Sequence, residues 1–355
     1  MWNNPYRNFT YWHKGQTHCH SSESWPELLR AGRAVLDAVG GLGVKHPPPP
    51  PRDVALAYRH MGYDFICITD HNTVTVLSQD TELVPILSAE DGCMHRHHII
   101  VLGVNMDVVK RRVRVADHRT GARPPARGVE YFDSDRSGIC DWKTEPCENV
   151  PGRLEYYTRV QGAVAVLAHP HSSHDSALGF SLRDLLGSTD YAGIEIFSAG
   201  EDPQTAFCLD WWDTLLQKGR LIWGFGSDDC HNTAGNTKSF NRSWILVNCA
   251  DPPGKATSAE ILDNIRRGNF CTVVRSPGPG PAEMGTREDG PKLVSIRVTG
   301  AAIQVDTPSG YDDAIDFWTL GGLRSRKSGP HAEFSPRDPM REGYVRVVVS
   351  GKRNG

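Results

Sequence analysis

The residues of this chain best suited to chemistry are histidines and carboxylates that recur at the ends of apolar runs: His18, His20, His71, Glu90, His98, His169, Asp229 and His231. Thr17-His18-Cys19-His20 sets the pattern. Side chains two apart in an extended chain share a face, so His18 and His20 project together with Cys19 behind them. Two imidazoles side by side at a strand end make half of a divalent-metal site. In a chain with 15 histidines one such pair carries little weight. Repetition gives it weight. The run 65–69 leads into Asp70-His71, and 84–88 leads into Ala89-Glu90-Asp91. His97 and His98 precede 99–104, 163–168 delivers His169-Pro170-His171, and 221–226 ends in Ser227-Asp228-Asp229-Cys230-His231. Imidazole and carboxylate donors suit zinc, manganese or iron. A carboxylate such as Glu90 can span two cations, and paired cations acidify a shared water and clamp an ester oxygen. The chemistry implied is hydrolysis by metal-activated hydroxide, with Glu90, Asp229, His231 and Asp70 as candidate catalytic residues. No Gly-x-Ser-x-Gly elbow competes with this reading.

Positioning such a set requires strands that end on one face. Up to about Arg275, strand-like runs alternate with helical patterns, which predicts a parallel α/β arrangement with the active face at the carboxyl ends of the strands. Ser24, with Glu27 three residues on, predicts a helix to Val39, and the prolines at 47–51 form a stiff connector. Further helices are expected at 52–61, 154–161, 182–186, 205–218 and 259–267, that at 205–218 turning Phe207, Trp211, Leu215 and Leu216 inward. The runs 192–197 and 244–247 read as further strands. Between 105 and 152 no period is sustained, which marks an arginine-rich insertion: a lid, a binding segment or a solvated loop. Gly278-Pro279-Gly280-Pro281 reads as a boundary. The expected organisation is a catalytic domain over 10–277 and a small β-rich, sandwich-like domain over 285–350, with strands at 293–298, 302–305, 314–318 and 344–349.

Composition excludes several function classes. A formal net charge of −3 gives no basic field for nucleic acid or an anionic membrane. No apolar run approaches the ~18 residues of a spanning helix, and the N-terminus carries no signal pattern. Nine cysteines without Cys-x-x-Cys spacing predict reduced thiols and a cytoplasmic setting. Cys19 and Cys230 fall inside the metal-like motifs, so thiolate ligation by them stays a minor alternative.

The ordered motifs His18-Cys19-His20, Ile68-Thr69-Asp70-His71-Asn72, Glu90, Ala168-His169-Pro170 and Gly226-Ser227-Asp228-Asp229-Cys230-His231 resemble those of the polymerase-and-histidinol-phosphatase (PHP) superfamily over about 14–276. The opening Lys14-Gly15-Gln16-Thr17, the Asp-Asp-x-His form of the last motif, and Arg267-Gly268-Asn269-Phe270 followed by Ser276-Pro277-Gly278-Pro279 look most like the branch that contains carbaryl hydrolase-like metallohydrolases. The resemblance implies a distorted (β/α)7 barrel holding two or three divalent metals. It assigns His18, His20, Glu90 and Asp229 to a first metal. Glu90 would bridge to a second held by His98 and His169, and His71 and His231 would bind a third. His97 is the alternative to His98. Asp70 would orient a ligand, and Glu195 would be supporting or structural. Where relatives carry Ser-Asp-Gly after the first histidine pair, this chain has Ser24-Trp25-Pro26, leaving Glu23 or Glu27 to substitute or the third site weak. Phosphate is the superfamily's default substrate group, with Lys14, Arg96, His171, Lys238 and Arg242 as candidates to receive it. The function implied is a phosphoesterase acting on a small anionic metabolite, without nucleic-acid or membrane partners. The alternatives are carbamate, ester or amide hydrolysis at the same centre, and a non-catalytic domain that keeps the fold.

Overall fold

The structure, a computed structural model, describes residues 4–24, 48–93, 96–106, 114–117, 150–171, 179–200, 206–233, 239–275, 295–300, 302–308 and 311–353. The helix expected over 24–39, Glu27, Lys238, the boundary at 278–281 and most of the 105–152 insertion lie outside the described residues. Strand β1 (Tyr11–Cys19) leads to helix α1 (Pro51–His60), then β2 (Phe65–Ile68), β3 (Thr73–Val76), β4 (Val84–Pro85), β5 (Ser88–Cys93), β6 (Arg96–Leu102) and β7 (Arg114–Asp117). Helix α2 (Val150–Glu155), β8 (Val164–Leu167), α3 (Leu182–Gly187), β9 (Gly193–Ser198), α4 (Leu209–Gln217), β10 (Trp223–Ser227), β11 (Ser243–Cys249), α5 (Ser258–Arg267) and β12 (Phe270–Val274) follow. No helix among the described residues is long and apolar enough to cross a membrane.

Local chemistry accounts for these elements. In α1 a proline opens the first turn, Val54, Ala55 and Tyr58 bury one face, and the chain leaves through Gly62 at φ 76°. Helix α5 begins where the Thr257 hydroxyl accepts the Glu260 N–H and ends at Gly268, φ 78°. Every residue of β2 and of β8 is buried, as strands covered on both faces must be.

The strands form two five-stranded sheets, β12-β11-β1-β2-β4 and β10-β9-β8-β6-β5. Their pairing is mixed, which corrects the expectation of a parallel arrangement. The pairs β1–β2, β2–β4, β8–β9 and β9–β10 are parallel. The pairs β1–β11, β11–β12, β5–β6 and β6–β8 are antiparallel. Strands β5 and β6 are joined by a connection too short for a crossover helix, and such a return can only be antiparallel. Phe65, Ile100, Val166, Phe225 and Ile245, drawn from both sheets, share one buried core. At one end of that core the sheets meet through single backbone bridges, His71 with Glu90 and Cys19 with Cys230. The amides of Asn72, His20 and Asp229 donate across these two seams to Glu90 (2.8 Å), Cys230 (2.9 Å) and His18 (3.0 Å). Among the described strands no ladder runs on from one of these two sheets into the other; they meet at the two bridges. The one described strand of the insertion, β7, pairs with β3 immediately after His71.

Beyond 294 the strands pair only among themselves: β13 (Ser295–Thr299), β14 (Ala302–Asp306) and β17 (His331–Phe334) in one sheet, β15 (Tyr311–Thr319), β16 (Gly322–Ser328) and β18 (Arg346–Arg353) in another. Val305, Ile315 and Phe317 form their core, against which Tyr6 packs. Arg346 ties this unit to α4 through two contacts with Asp213, at 2.9 and 2.7 Å.

Candidate metal centre

Glu90 lies in the middle of β5, not past a strand end as the sequence pattern led one to expect. Its Oε1 sits 2.8 Å from His98 Nδ1, 3.3 Å from His18 Nε2 and 3.3 Å from His169 Nε2. Its Oε2 sits 2.8 Å from His71 Nδ1 and 3.5 Å from His20 Nε2. Asp229 Oδ1 completes the group, 3.1 Å from His20 Nε2, 3.3 Å from His18 Nε2 and 3.7 Å from His231 Nδ1. The His20 ring stacks on those of His231 and His71, at centroid distances of 4.0 and 4.4 Å. All the imidazoles and acids expected to converge are brought together here.

Several elements deliver them. His18 belongs to β1 and His20 follows it; His71 follows β2, His98 lies in β6, His169 follows β8, and Asp229 with His231 follows β10. Backbone strain gathers at the same place: Asn72, His97, His169 and Asp229 hold φ of 49°, 55°, 26° and 44°. Two glycines leave room for the donors. A Cβ on Gly92 would stand 2.4 Å from His98 Cδ2, and one on Gly200 would stand 2.7 Å from Asp229 Oδ2.

Buried carboxylates behind the cluster set its tautomers. Glu195 accepts the backbone N–H of His169 at 2.7 Å and the hydroxyl of Ser227, and meets His18 Nδ1 at 2.9 Å. A carboxylate accepts, so Nδ1 of His18 carries the proton. Ser24 Oγ donates to Asp70 at 2.7 Å and lies 3.0 Å from His20 Nδ1, so the proton between that oxygen and His20 belongs to the ring. Both oxygens of Asp70 are taken by Ser21, Ser24 and Thr75. Asp70 is therefore a positioning residue and not one that faces a reacting group. Asp228 likewise turns away, accepting the N–H groups of Asn241 (2.7 Å), Arg242 (2.8 Å) and Ser243 (2.8 Å) and the Tyr58 hydroxyl (2.9 Å). Asp229 is left to face the cluster.

The protonated nitrogens thus point outward, and the Nε2 atoms of His18 and His20 face each other at 3.2 Å. Two lone pairs and two carboxylates aimed at one spot require positive charge there. The titration behaviour has the same cause. Burial opposes charge on His18, but Asp229, Glu195 and Glu90 hold its pKa well above the ordinary imidazole value. Burial, with His231 and His71 alongside, pushes His20 well below that value, and burial takes His231 down to about 4. Burial alone would raise Glu90 and Asp229, yet the surrounding imidazoles keep both well below the usual carboxylate range. With a cation in place of the proton that the carboxylates otherwise hold on His18 and His71, ionised carboxylates and imidazole lone pairs are the donor set that divalent cations take. Three overlapping groups are spaced to share an ion: His18, His20 and Glu90; His71, Glu90 and His98; and His20, His71 and His231. Nε2 of His231 is buried without a hydrogen-bond partner among the described residues. His18 and His20 are 0% exposed, whereas His71, His98, His169, Asp229 and His231 reach 6, 7, 7, 8 and 6%. Solvent therefore touches the cluster from the latter side.

Other expectations fare differently. His98, not His97, meets Glu90; His97 packs against Phe180 and lies 3.8 Å from Asp184. Lys14 donates to the Met61 carbonyl and Asn241 Oδ1 at 3.1 Å each and sits over the rings of Tyr63 and Trp244, away from the cluster. His171 engages the Phe207 carbonyl. Arg242 holds Asp228 through its backbone, and its guanidinium lies in the field of Arg275. The backbone of Arg96 is in β6, and its side chain, like Lys238, is outside the described residues. The thiols of Cys19 and Cys230 donate to the carbonyls of Cys67 and Asn232, so neither serves the cluster. Sequence reasoning missed the roles of Ser24, Ser227, Gly92 and Gly200, small residues that carry no signal of their own.

No family model matches the chain, and no curated protein matches it. One solved structure aligns with it at a TM-score of 0.35 and 12% identity, over 64% of this chain and 91% of that one. It is a Bifidobacterium adolescentis protein proposed to be a metal-dependent phosphoesterase. So slight a likeness bears no functional weight.

Proposed function

We propose that this chain is a metal-dependent hydrolase of the PHP kind, cleaving a phosphoester in a small anionic molecule. The observation that supports it is the convergence of His18, His20, His71, His98, His169, Asp229 and His231 on Glu90 and on one another, with the outer nitrogens of His18 and His20 held by Glu195 and Ser24. In this reading β1, β2, β5, β6, β8, β9 and β10, closed by the two seams, are a distorted (β/α)7 barrel within 10–277, and 285–350 is a separate β-rich domain. His18, His20, Glu90 and Asp229 would hold one cation, Glu90, His98 and His169 a second, and His71 and His231 with His20 a third. Bound zinc, manganese or iron supplies Lewis acidity and lowers the pKa of water. The chain's own part is orientation. Glu195 and the Ser24–Asp70 pair lock the His18 and His20 imidazoles, Glu90 turns Oε1 to His18, His98 and His169 and Oε2 to His20 and His71, and the side away from His18 and His20 would receive the ester.

Metal content of the purified chain and phosphate release from monoesters and diesters test this. Stoichiometric metal and turnover are expected in the wild type; in Glu90→Gln and Asp229→Asn turnover should collapse and bound metal should fall. Absence of bound metal after loading sinks the proposal. Cleavage of an aryl carbamate, ester or amide without phosphate release selects the second reading, which the protein-engaged positions of Lys14 and His171 favour. Metal-replete protein that cleaves none of these points to a non-catalytic domain.

A further inference from the structure

A second donor group stands apart from the Glu90 cluster, made of His171, Cys208 and Asp210. The segment before α4 is fastened to β9: the Ser198 amide donates to the Ala206 carbonyl, and the Cys208 amide donates to the Ile196 carbonyl, each at 3.0 Å. Cys208 is thereby fixed at the start of α4, and Asp210 falls in its first turn. His171 arrives from the end of β8. Its Nδ1 lies 3.0 Å from the Phe207 carbonyl oxygen, and Trp211 meets its ring edge-on, centroids 4.2 Å apart at 88°. A carbonyl only accepts, so Nδ1 carries a proton and Nε2 is the His171 nitrogen left to take a metal. That nitrogen is 3.7 Å from Asp210 Oδ1, too far for a hydrogen bond. The gap is close to the ~3.3–3.5 Å that separates nitrogen and oxygen ligands of one tetrahedral zinc ion. The thiol of Cys208 completes a triangle whose corners all lie within 4.8 Å of one another. Cys208 is 1% exposed, whereas the Asp210 side chain is 70% exposed, so a cation can enter from solvent and find sulfur at the inner wall.

We propose that His171, Cys208 and Asp210 bind one thiophilic divalent cation, zinc by preference, at a site distinct from the Glu90 cluster. A thiolate beside an imidazole and a carboxylate selects zinc-class ions over magnesium or calcium and leaves a position for water. Binding releases the thiol proton to solvent, so Cys208 ligates as the thiolate. The ion would tie the end of β8 to the start of α4. None of this depends on the hydrolase reading.

Sulfur makes the site separately visible, since among the described residues no thiol serves the Glu90 cluster. Cobalt(II) titration of the full chain should develop a near-ultraviolet sulfur-to-cobalt charge-transfer band equivalent to one site. The band should vanish in Cys208→Ser and persist in Glu90→Gln. His171→Gln and Asp210→Asn should weaken binding at least ~10-fold. The exposed Asp210 position keeps the test readable if Cys208→Ser fails to fold. No band in the wild type at saturating cobalt overturns the proposal, as does a band that survives Cys208→Ser or is unchanged in both Asp210→Asn and His171→Gln.

Discussion

His18 and His20 take their orientation from groups that never face the cluster: Glu195 with Ser227 on one side, Ser24 with Asp70 on the other. The donors themselves were legible in the sequence, because imidazole and carboxylate at the ends of apolar runs announce their chemistry. Their supports were not. A serine hydroxyl or a missing Cβ has no chemical signature of its own, and its role exists only once distant segments meet. Gly200 shows this best. It looks like loop punctuation, yet a methyl group there would press on Asp229 at 2.7 Å. Gly200→Ala should therefore lower turnover about 10²-fold, the usual consequence of a ~1 Å misplacement, and reduce bound metal. Metal analysis beside steady-state kinetics checks it, and unchanged values would show that Asp229 tolerates displacement.

Elements were legible where apolar runs were continuous. Strands β2, β8, β9 and β10 lie where hydrophobicity put them. Strand direction did not show, since an apolar run reads the same whichever way its neighbour points. Strand β16 was missed because Arg324-Ser325-Arg326-Lys327 has no buried face to betray it. Helix α4 starts later than its pattern implied, because Phe207 pairs with Phe197 of β9. Helix α3 offers a pH-dependent test. Ser181 and Asp184 cap it reciprocally: the Asp184 N–H donates to Ser181 Oγ, and the Ser181 N–H donates to Asp184 Oδ2. Although burial pulls the other way, hydrogen bonds from Ser181 hold the Asp184 carboxyl below its ordinary value. A depressed carboxylate stabilises the fold above its unfolded pKa, ~3.9, and that contribution is lost as pH falls through the lower folded value. Ser181→Ala should cost about 1 kcal/mol at neutral pH. Urea unfolding should show the gap to wild type narrowing once the carboxylate protonates; a gap constant with pH would leave the cap without an electrostatic part.

At the scale of the molecule, what matters is how the two sheets join. Their shared core was predictable in kind, but the seams were not, because each is a single bridge, His71 with Glu90 inside the cluster and Cys19 with Cys230 next to His18, His20, Asp229 and His231 in the chain. Ligand binding to the native state alone adds ~2.7 kcal/mol at about 100 times Kd, so chelation should lower the melting temperature by several degrees. Hydrogen exchange should locate the loss. The amides of His20, Asn72 and Asp229 cross the seams and should lose protection when metal is removed, while those pairing β11 with β12 should not. Uniform deprotection would mean that the ions brace the whole fold and not the join.

That join has a consequence for how the chain can change over time. The side chains proposed to handle an ester also clasp one half of the scaffold to the other. A descendant that abandoned the chemistry would have to find a new fastener before discarding the old one.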